Sequence, residues 1–200
     1  MFFVFPHRHL RHSAITIIVH NMDIPRTANQ SEKKTGNVYI YVDVPNFWAQ
    51  GQQTYTQKYQ QGTNQIPRWR FNHDILKDIL LEKSSLDTNE ATFEPELNLY
   101  GTKPRSVDSA SVTSEIIVDL VDKVADAYYN SIPAVFIVVT GNRKVRSAVA
   151  KIAARGFPVH IWFWKNGMAK ELIREDTDID QDLVKTHYLD PYLEVISAND

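Results

Sequence analysis

The chain has 200 residues, 43% of them hydrophobic, a formal charge of −2 and no cysteine. That length and apolar content suit one globular core. The lack of cysteine excludes disulfide frameworks, thiolate zinc sites and cysteine nucleophiles, and agrees with an intracellular setting, cytoplasmic or nuclear. The near-neutral balance selects no partner, so nucleic-acid binding would need a local basic patch. No apolar run approaches the ~20 residues of a membrane span.

Residues 1–36 read differently from the rest. MFFVFPHRHLRHSAITIIVHNM carries a His/Arg cluster and no acid. It has neither the charged start nor the continuous apolar stretch of a secretory signal, though an organelle-targeting leader stays open. A disordered arm, or an upstream start with Met22 as the working initiator, accounts for it as well. Asp23 to Gly36 is polar, holds Pro25, and reads as a linker. The folded domain is therefore expected over 37–197.

Val38 to Asp43 is a first strand: apolar, β-branched and aromatic, ending in an acid. Pro45 and Asn46 follow, then an aromatic segment that opens a helix or a loop. GQQTYTQKYQQGTNQIPRW is amide-rich and reads as a long functional loop. Asn72 caps a predicted helix, HDILKDILLEK. Ser84 to Glu94 reads as polar loop and Glu96 to Gly101 as a short second strand. Val112 to Asn130 is the clearest helix, with Ile116, Leu120 and Val124 on one face and Glu115, Asp119, Asp122 and Asp126 on another. AVFIVVTG is a buried parallel-type strand. Asn142 caps RKVRSAVAKIAARG, and Gly156 ends that helix. FPVHIWFW is another buried strand, NGMAKELIRE a short helix, and LVKTHYLDPYLEVI closes the domain. Strands alternating with helices predict an α/β protein: a three-layer α/β/α sandwich with a central, mostly parallel sheet.

Open parallel sheets hold their ligands beyond the C-terminal strand ends. The residues predicted there are Asp43 and Asn46, Gly101 and Thr102, Thr140 to Asn142, and Trp164 to Asn166. A carboxylate with a nearby amide suits a hydrated Mg²⁺ or Mn²⁺. Alone, the same acid serves equally as a helix cap. No glycine-rich phosphate loop and no nucleophilic serine elbow is present. The acidic stripe of the long helix reads by default as a solvated face, though Glu115 and Asp119 could approach the strand ends. Arg143 and Lys144 sit in a first helical turn, where the dipole disfavours cations, and so hint at a bound polyanion. With Lys103 and Arg105 they could line a phosphate track. Phe47, Trp48, Tyr55, Tyr59, Trp69 and Phe71 could stack on unpaired bases, with core packing the default for at least half of them.

Four stretches resemble the NYN domain, a branch of the PIN-like nuclease superfamily. They are VYIYVDVPNFWAQGQQ, RWRFNHDIL with LNLYGTKP, IVVTGNRKVRSAVAKIAARGFPVHIWFW, and NGMAKELIRE with YLDPYLEVI. The first is similar to the family's strand–Asp–x–x–Asn–x–x–x–x–Gly opening. The third is similar to its S-G-D-x-D-F strand–turn–helix–strand. The resemblance implies a PIN-like, Rossmann-like fold and a carboxylate cluster that holds Mg²⁺ or Mn²⁺ to hydrolyse RNA phosphodiesters.

Residue by residue, the carry-over is uneven. Asp43 matches the family's first catalytic acid and Asn46 its amide. Thr113 stands where a second acid belongs, with Glu115 two residues displaced, and Asp119 matches a later acid. Gly141-Asn142 replaces Gly-Asp, and Lys144 replaces the second acid of that turn. The catalytic residues implied are thus Asp43 and Asp119, and the metal ligands Asp43, Glu115 and Asp119. The residues expected to bind RNA are Asn46, Lys103, Arg105, Asn142, Arg143, Lys144 and Lys165. A lysine ~4 Å from a cation would repel it by roughly 1–4 kcal/mol while favouring phosphate.

The expected function is that of an RNA-binding pseudonuclease: nuclease ancestry, cleavage weakened or lost, single-stranded RNA as partner, and Mg²⁺ or Mn²⁺ as cofactor only if active. An active metal-dependent endoribonuclease is one rival. A protein-interaction scaffold, as a homodimer or with other partners, is another.

Overall fold

The computed structural model describes residues 34–59, 68–84, 91–101, 109–173 and 182–198. Five strands form one sheet: β1 (Lys34–Asp43), β2 (Ala91–Tyr100), β3 (Ala134–Val139), β4 (Val159–Phe163) and β5 (Val184–Tyr188). All neighbouring pairs are parallel, in the order β2-β1-β3-β4-β5. The helices are α1 (Val44–Tyr59), α2 (His73–Lys83), α3 (Ser109–Tyr129), α4 (Arg146–Ala153), α5 (Lys170–Ile173) and α6 (Leu193–Ile196). The architecture is the expected three-layer α/β/α sandwich. No helix among the described residues is long and apolar enough to cross a membrane.

The alternation of β1 assigns the two faces. Val38, Ile40 and Val42 point one way, and Tyr39, Tyr41 and Asp43 the other, all of them buried. α3 covers the tyrosine face: Thr113 bonds Asp43, and Lys123 lies over the Tyr39 ring. α2 covers the opposite face, where Ser84, just past its end, receives the Trp162 indole N–H.

Three boundaries differ from expectation. β1 starts at Lys34 rather than Val38, and β2 at Ala91 rather than Glu96. The two strands pair in one unbroken register from Lys34↔Ala91 to Asp43↔Tyr100. Pro95 reads in sequence as a break, yet β2 lies at the sheet's edge, where a missing N–H is tolerated. The third difference is larger. The segment expected as a long loop is helical through Tyr59.

Packing explains the helix. Gly51 lies in its interior, and a Cβ there would come within 2.2 Å of the Trp69 ring. The indole therefore seats directly on helix backbone. Trp69 accepts a further anchor at its amide, which donates to Gln52 Oε1 at 2.7 Å. Trp69, Phe47, Phe71 and Trp164 form one aromatic cluster, with ring centroids 4.8–5.6 Å apart. Of the six aromatics expected to stack on bases or pack inward, Phe47 and Trp69 are fully buried, and Trp48, Tyr55 and Phe71 pack against the core. Tyr59 is 42% exposed, and its hydroxyl donates to Glu194.

Candidate functional site

The order β2-β1-β3 makes the chain leave β1 towards one edge and return through β3 towards the other. The crevice at such a reversal, beyond the C-terminal strand ends, is where open α/β sheets bind ligands. Asp43 ends β1 and Thr140 follows β3, so both lie at this point.

Asp43 is fully buried, and its carboxylate is closed in by donors. Oδ2 accepts from Thr140 Oγ1 at 3.1 Å and from Thr113 Oγ1 at 3.3 Å. Oδ1 accepts from the Asn46 amide at 3.4 Å. Because Asp43 directly precedes α1, that last bond is the one an N-cap makes to the third residue of a helix. Burial holds the Asp43 carboxyl above its ordinary value, and the bonds from Asn46, Thr140 and Thr113 oppose the shift.

The network extends through Asn142. Its Nδ2 donates to Thr113 Oγ1 at 3.0 Å, its Oδ1 accepts from the Lys144 amide at 3.1 Å, and its own amide donates to Thr140 Oγ1 at 3.2 Å. It thereby caps the 3-10 turn Arg143–Val145 that leads into α4. A close approach beneath fixes this turn. A Cβ on Gly141 would stand 2.2 Å from the Gly167 carbonyl, so the loops after β3 and β4 touch backbone to backbone. The Gly141 carbonyl also accepts from Ala169 N at 3.1 Å.

The expected cations occupy the same rim. Arg143, Lys144 and Lys165 are all exposed. Arg143 reaches Glu171 at 3.4 Å, and the Lys165 amide donates to Asp190 Oδ2 at 2.8 Å, tying the ends of β4 and β5 together. Lys103 and Arg105 lie outside the described residues.

The remaining expected acids are placed elsewhere. Asp119 accepts from the Tyr100 hydroxyl at 2.5 Å and lines a groove between α3 and the outer end of the sheet. Glu115 accepts from Ser111 at 3.4 Å, beside a neighbouring depression that also includes Asp119. The groups in direct contact with the Asp43 carboxylate are hydroxyls and an amide, none of them anionic. Among the described residues no cluster of three or more histidines or acids could hold a metal ion. A hard divalent cation wants several anionic oxygens. The described donor set around Asp43 does not fit one.

Two further residues matter here. Thr140 is visible in the sequence as a strand end, but its bond to Asp43 depends on β1 and β3 being neighbours. Tyr41 reads in the sequence only as part of a strand, and its one signal is the Tyr39/Tyr41 alternation, which puts both rings on the face that the acidic helix covers.

Set against known proteins, the chain matches no family model, no curated protein and no solved structure.

Proposed function

We propose that this protein binds single-stranded RNA at the C-terminal rim of its sheet and has weakened or lost the cleavage chemistry of an NYN-like ancestor. The observation that carries this reading is the closed network around Asp43. A strand-end carboxylate at the switch point is satisfied by Thr113, Thr140 and the Asn46 amide, and Thr113 stands where the resemblance leads one to expect an acid. The hydroxyls neutralise nothing, so the site lacks the charge to hold Mg²⁺ or Mn²⁺ firmly.

The same rim is suited to polyanions. Arg143 and Lys144 project from the first turn after β3, and Lys165 from the turn after β4. Phosphate oxygens could be met there by these side-chain cations. No step of hydrolysis is assigned to these residues.

The test pairs two assays on the full chain. Labelled single-stranded RNA should bind with an affinity that falls steeply with salt. The same RNA should remain intact in Mn²⁺, or be cut at a rate that Asp43→Ala does not change. Failure to bind at low salt overturns the reading, and so does Mn²⁺-dependent cleavage that Asp43→Ala abolishes.

A further inference from the structure

The long helix and the edge of the sheet enclose a second polar feature. A groove of about 460 Å³ runs between α3 and the β1/β2 side of the sheet. Two contacts set its register: the Tyr100 hydroxyl on Asp119, and Lys123 Nζ on Glu96 Oε2 at 3.1 Å. Asp119, Asp122 and Asp126 follow at helical spacing along its helix wall. It holds the carboxylates of Glu96 and these three aspartates against one lysine, so its field draws cations.

The groove already shows how it treats an ammonium. At the Glu96 end, Lys123 Nζ lies 4.9 Å from the Tyr39 ring centroid while it pairs with the carboxylate. That is a carboxylate and an aromatic face around one cation. The other end repeats the chemistry without a cation. The Tyr41 and Tyr100 rings are stacked, with centroids 6.0 Å apart, the Tyr100 hydroxyl reaches Asp119, and Asp122 lines the same groove. Among the described residues no lysine or arginine pairs with either aspartate.

Tyr41 supplies an independent sign of a missing partner. It is 1% exposed and lines the groove, yet its hydroxyl has no hydrogen-bond partner among the described residues. Buried polar atoms are nearly always bonded, so an orphan of this kind marks a place where something else completes the site. Burial and the neighbouring carboxylates push the Tyr41 phenol upward, so it stays protonated and offers a lone pair to a donor.

We propose that the Tyr41–Asp119–Asp122 end of this groove binds an aliphatic ammonium group. The ammonium donates to the Tyr41 oxygen and to an aspartate, and rests on the tyrosine rings. The shape suits an extended amine. β2 advances about 13 Å from Glu96 to Tyr100, and α3 about 10 Å from Asp119 to Asp126. The source is either a free polyamine or the lysine side chain of a protein partner. A divalent metal fits less well, since no metal-holding cluster exists among the described residues. The inference is independent of RNA binding, which uses other residues.

The test is calorimetric titration of the full chain at low ionic strength with spermidine, with an end-blocked tri-lysine peptide, and with Mn²⁺. Saturable binding of spermidine alone identifies a free amine, and of the peptide alone a lysine side chain; either supports the assignment. Asp119→Asn with Asp122→Asn should weaken that binding about tenfold or more, the scale of lost bonds to charged groups. Tyr41→Phe should weaken it severalfold without lowering the unfolding midpoint, because it removes a hydroxyl that has no partner. Asp74→Asn, an exposed acid of α2, should leave binding unchanged. No saturable binding of either amine overturns the assignment. So does equal affinity in the groove variants, or a groove that takes Mn²⁺ in preference to both amines. RNA binding retained by the groove variants separates failure here from failure of the RNA reading.

Discussion

Thr140 donates through its hydroxyl to Asp43 Oδ2 at 3.1 Å, and this bond joins the C-terminal ends of two neighbouring parallel strands. Thr113, from α3, reaches the same oxygen. The acid that looks most catalytic in the sequence is therefore also a structural knot. It caps α1, closes the β1–β3 junction and anchors α3.

Asp43→Asn should separate the charge from the shape. The folded-state carboxyl is raised above its ordinary 3.8. Its contribution is therefore full below the unfolded value and is lost as pH rises through the folded one. The isosteric amide removes that loss. Stability at pH 7 should hold or rise in Asp43→Asn, and the difference from wild type should shrink as pH falls towards 4. Urea midpoints at several pH values test this. A large loss of stability in the variant at neutral pH would show that the charge itself supports the fold.

Carboxylates introduced at Thr113 and Asn142 should convert stability into metal dependence. Thr113→Asp with Asn142→Asp places new carboxylates against a buried one. Like charges held together disfavour their ionised forms and destabilise the fold when no cation compensates them. In chelator the melting temperature should fall, and Mn²⁺ should restore much of it. If Mn²⁺ gives no recovery while the protein still folds, these positions do not form a metal site.

Charge reversal at Arg143 and Lys144 should act on RNA in a way that salt reveals. Each phosphate contact to single-stranded RNA adds about 0.7 to the slope of log affinity against log salt. Loss of two contacts should flatten that slope by about 1.4 and weaken binding alike for unrelated sequences. Unchanged slope in filter-binding titrations would place the RNA elsewhere.

Gly51→Ala should destabilise although alanine is the better helix former. The new Cβ would meet the Trp69 ring at 2.2 Å, and Trp69 is 1% exposed and packed on all sides. Overpacking of this sort costs about 1–3 kcal/mol, against a helical gain of at most ~1 kcal/mol. Urea denaturation followed by tryptophan fluorescence checks the sign. A stabilised variant would mean that the indole moves freely.

The β4–β5 pair should make the fold acid-sensitive above the carboxylate range. His160 Nδ1 and His187 Nε2 lie 2.9 Å apart, so one donates and the other accepts while both are neutral. Burial, with His187 and Lys185 nearby, pushes His160 down to about 4, and burial with Lys185 also lowers His187. The unfolded chain takes up protons from the ordinary 6.5 downwards, while the folded chain resists. For His160, stability is therefore full above about 6.5 and is lost as pH falls from there towards about 4, at up to ~1.4 kcal/mol per pH unit, and His187 acts in the same direction. His160→Gln should flatten that part of the profile. An equally steep fall in the variant would assign the effect to other groups.

Much of this protein is legible without coordinates. The apolar runs at Val38–Val42, Ala134–Val139 and Val159–Phe163 read as buried strands, and the α3 stripe of Ile116, Leu120 and Val124 as a helix packed on them; all of these residues are buried. Alternation of these elements implies a parallel sheet, and Asn72 and Asn142 mark their helix starts because a side-chain oxygen is needed there. Such features depend on local periodicity and capping, which a sequence carries directly. Other features depend on which strands become neighbours. The order β2-β1-β3 brings Thr140 and Thr113 onto Asp43, lets Pro95 sit in an edge strand, and turns the amide-rich segment into a helix against Trp69. It also sets the acidic face of α3 over Tyr41 and Tyr100, where a stripe that reads as solvated becomes the wall of a groove. Those outcomes are long-range packing choices. Their energies come from contacts between residues tens of positions apart, so only the tertiary structure decides them.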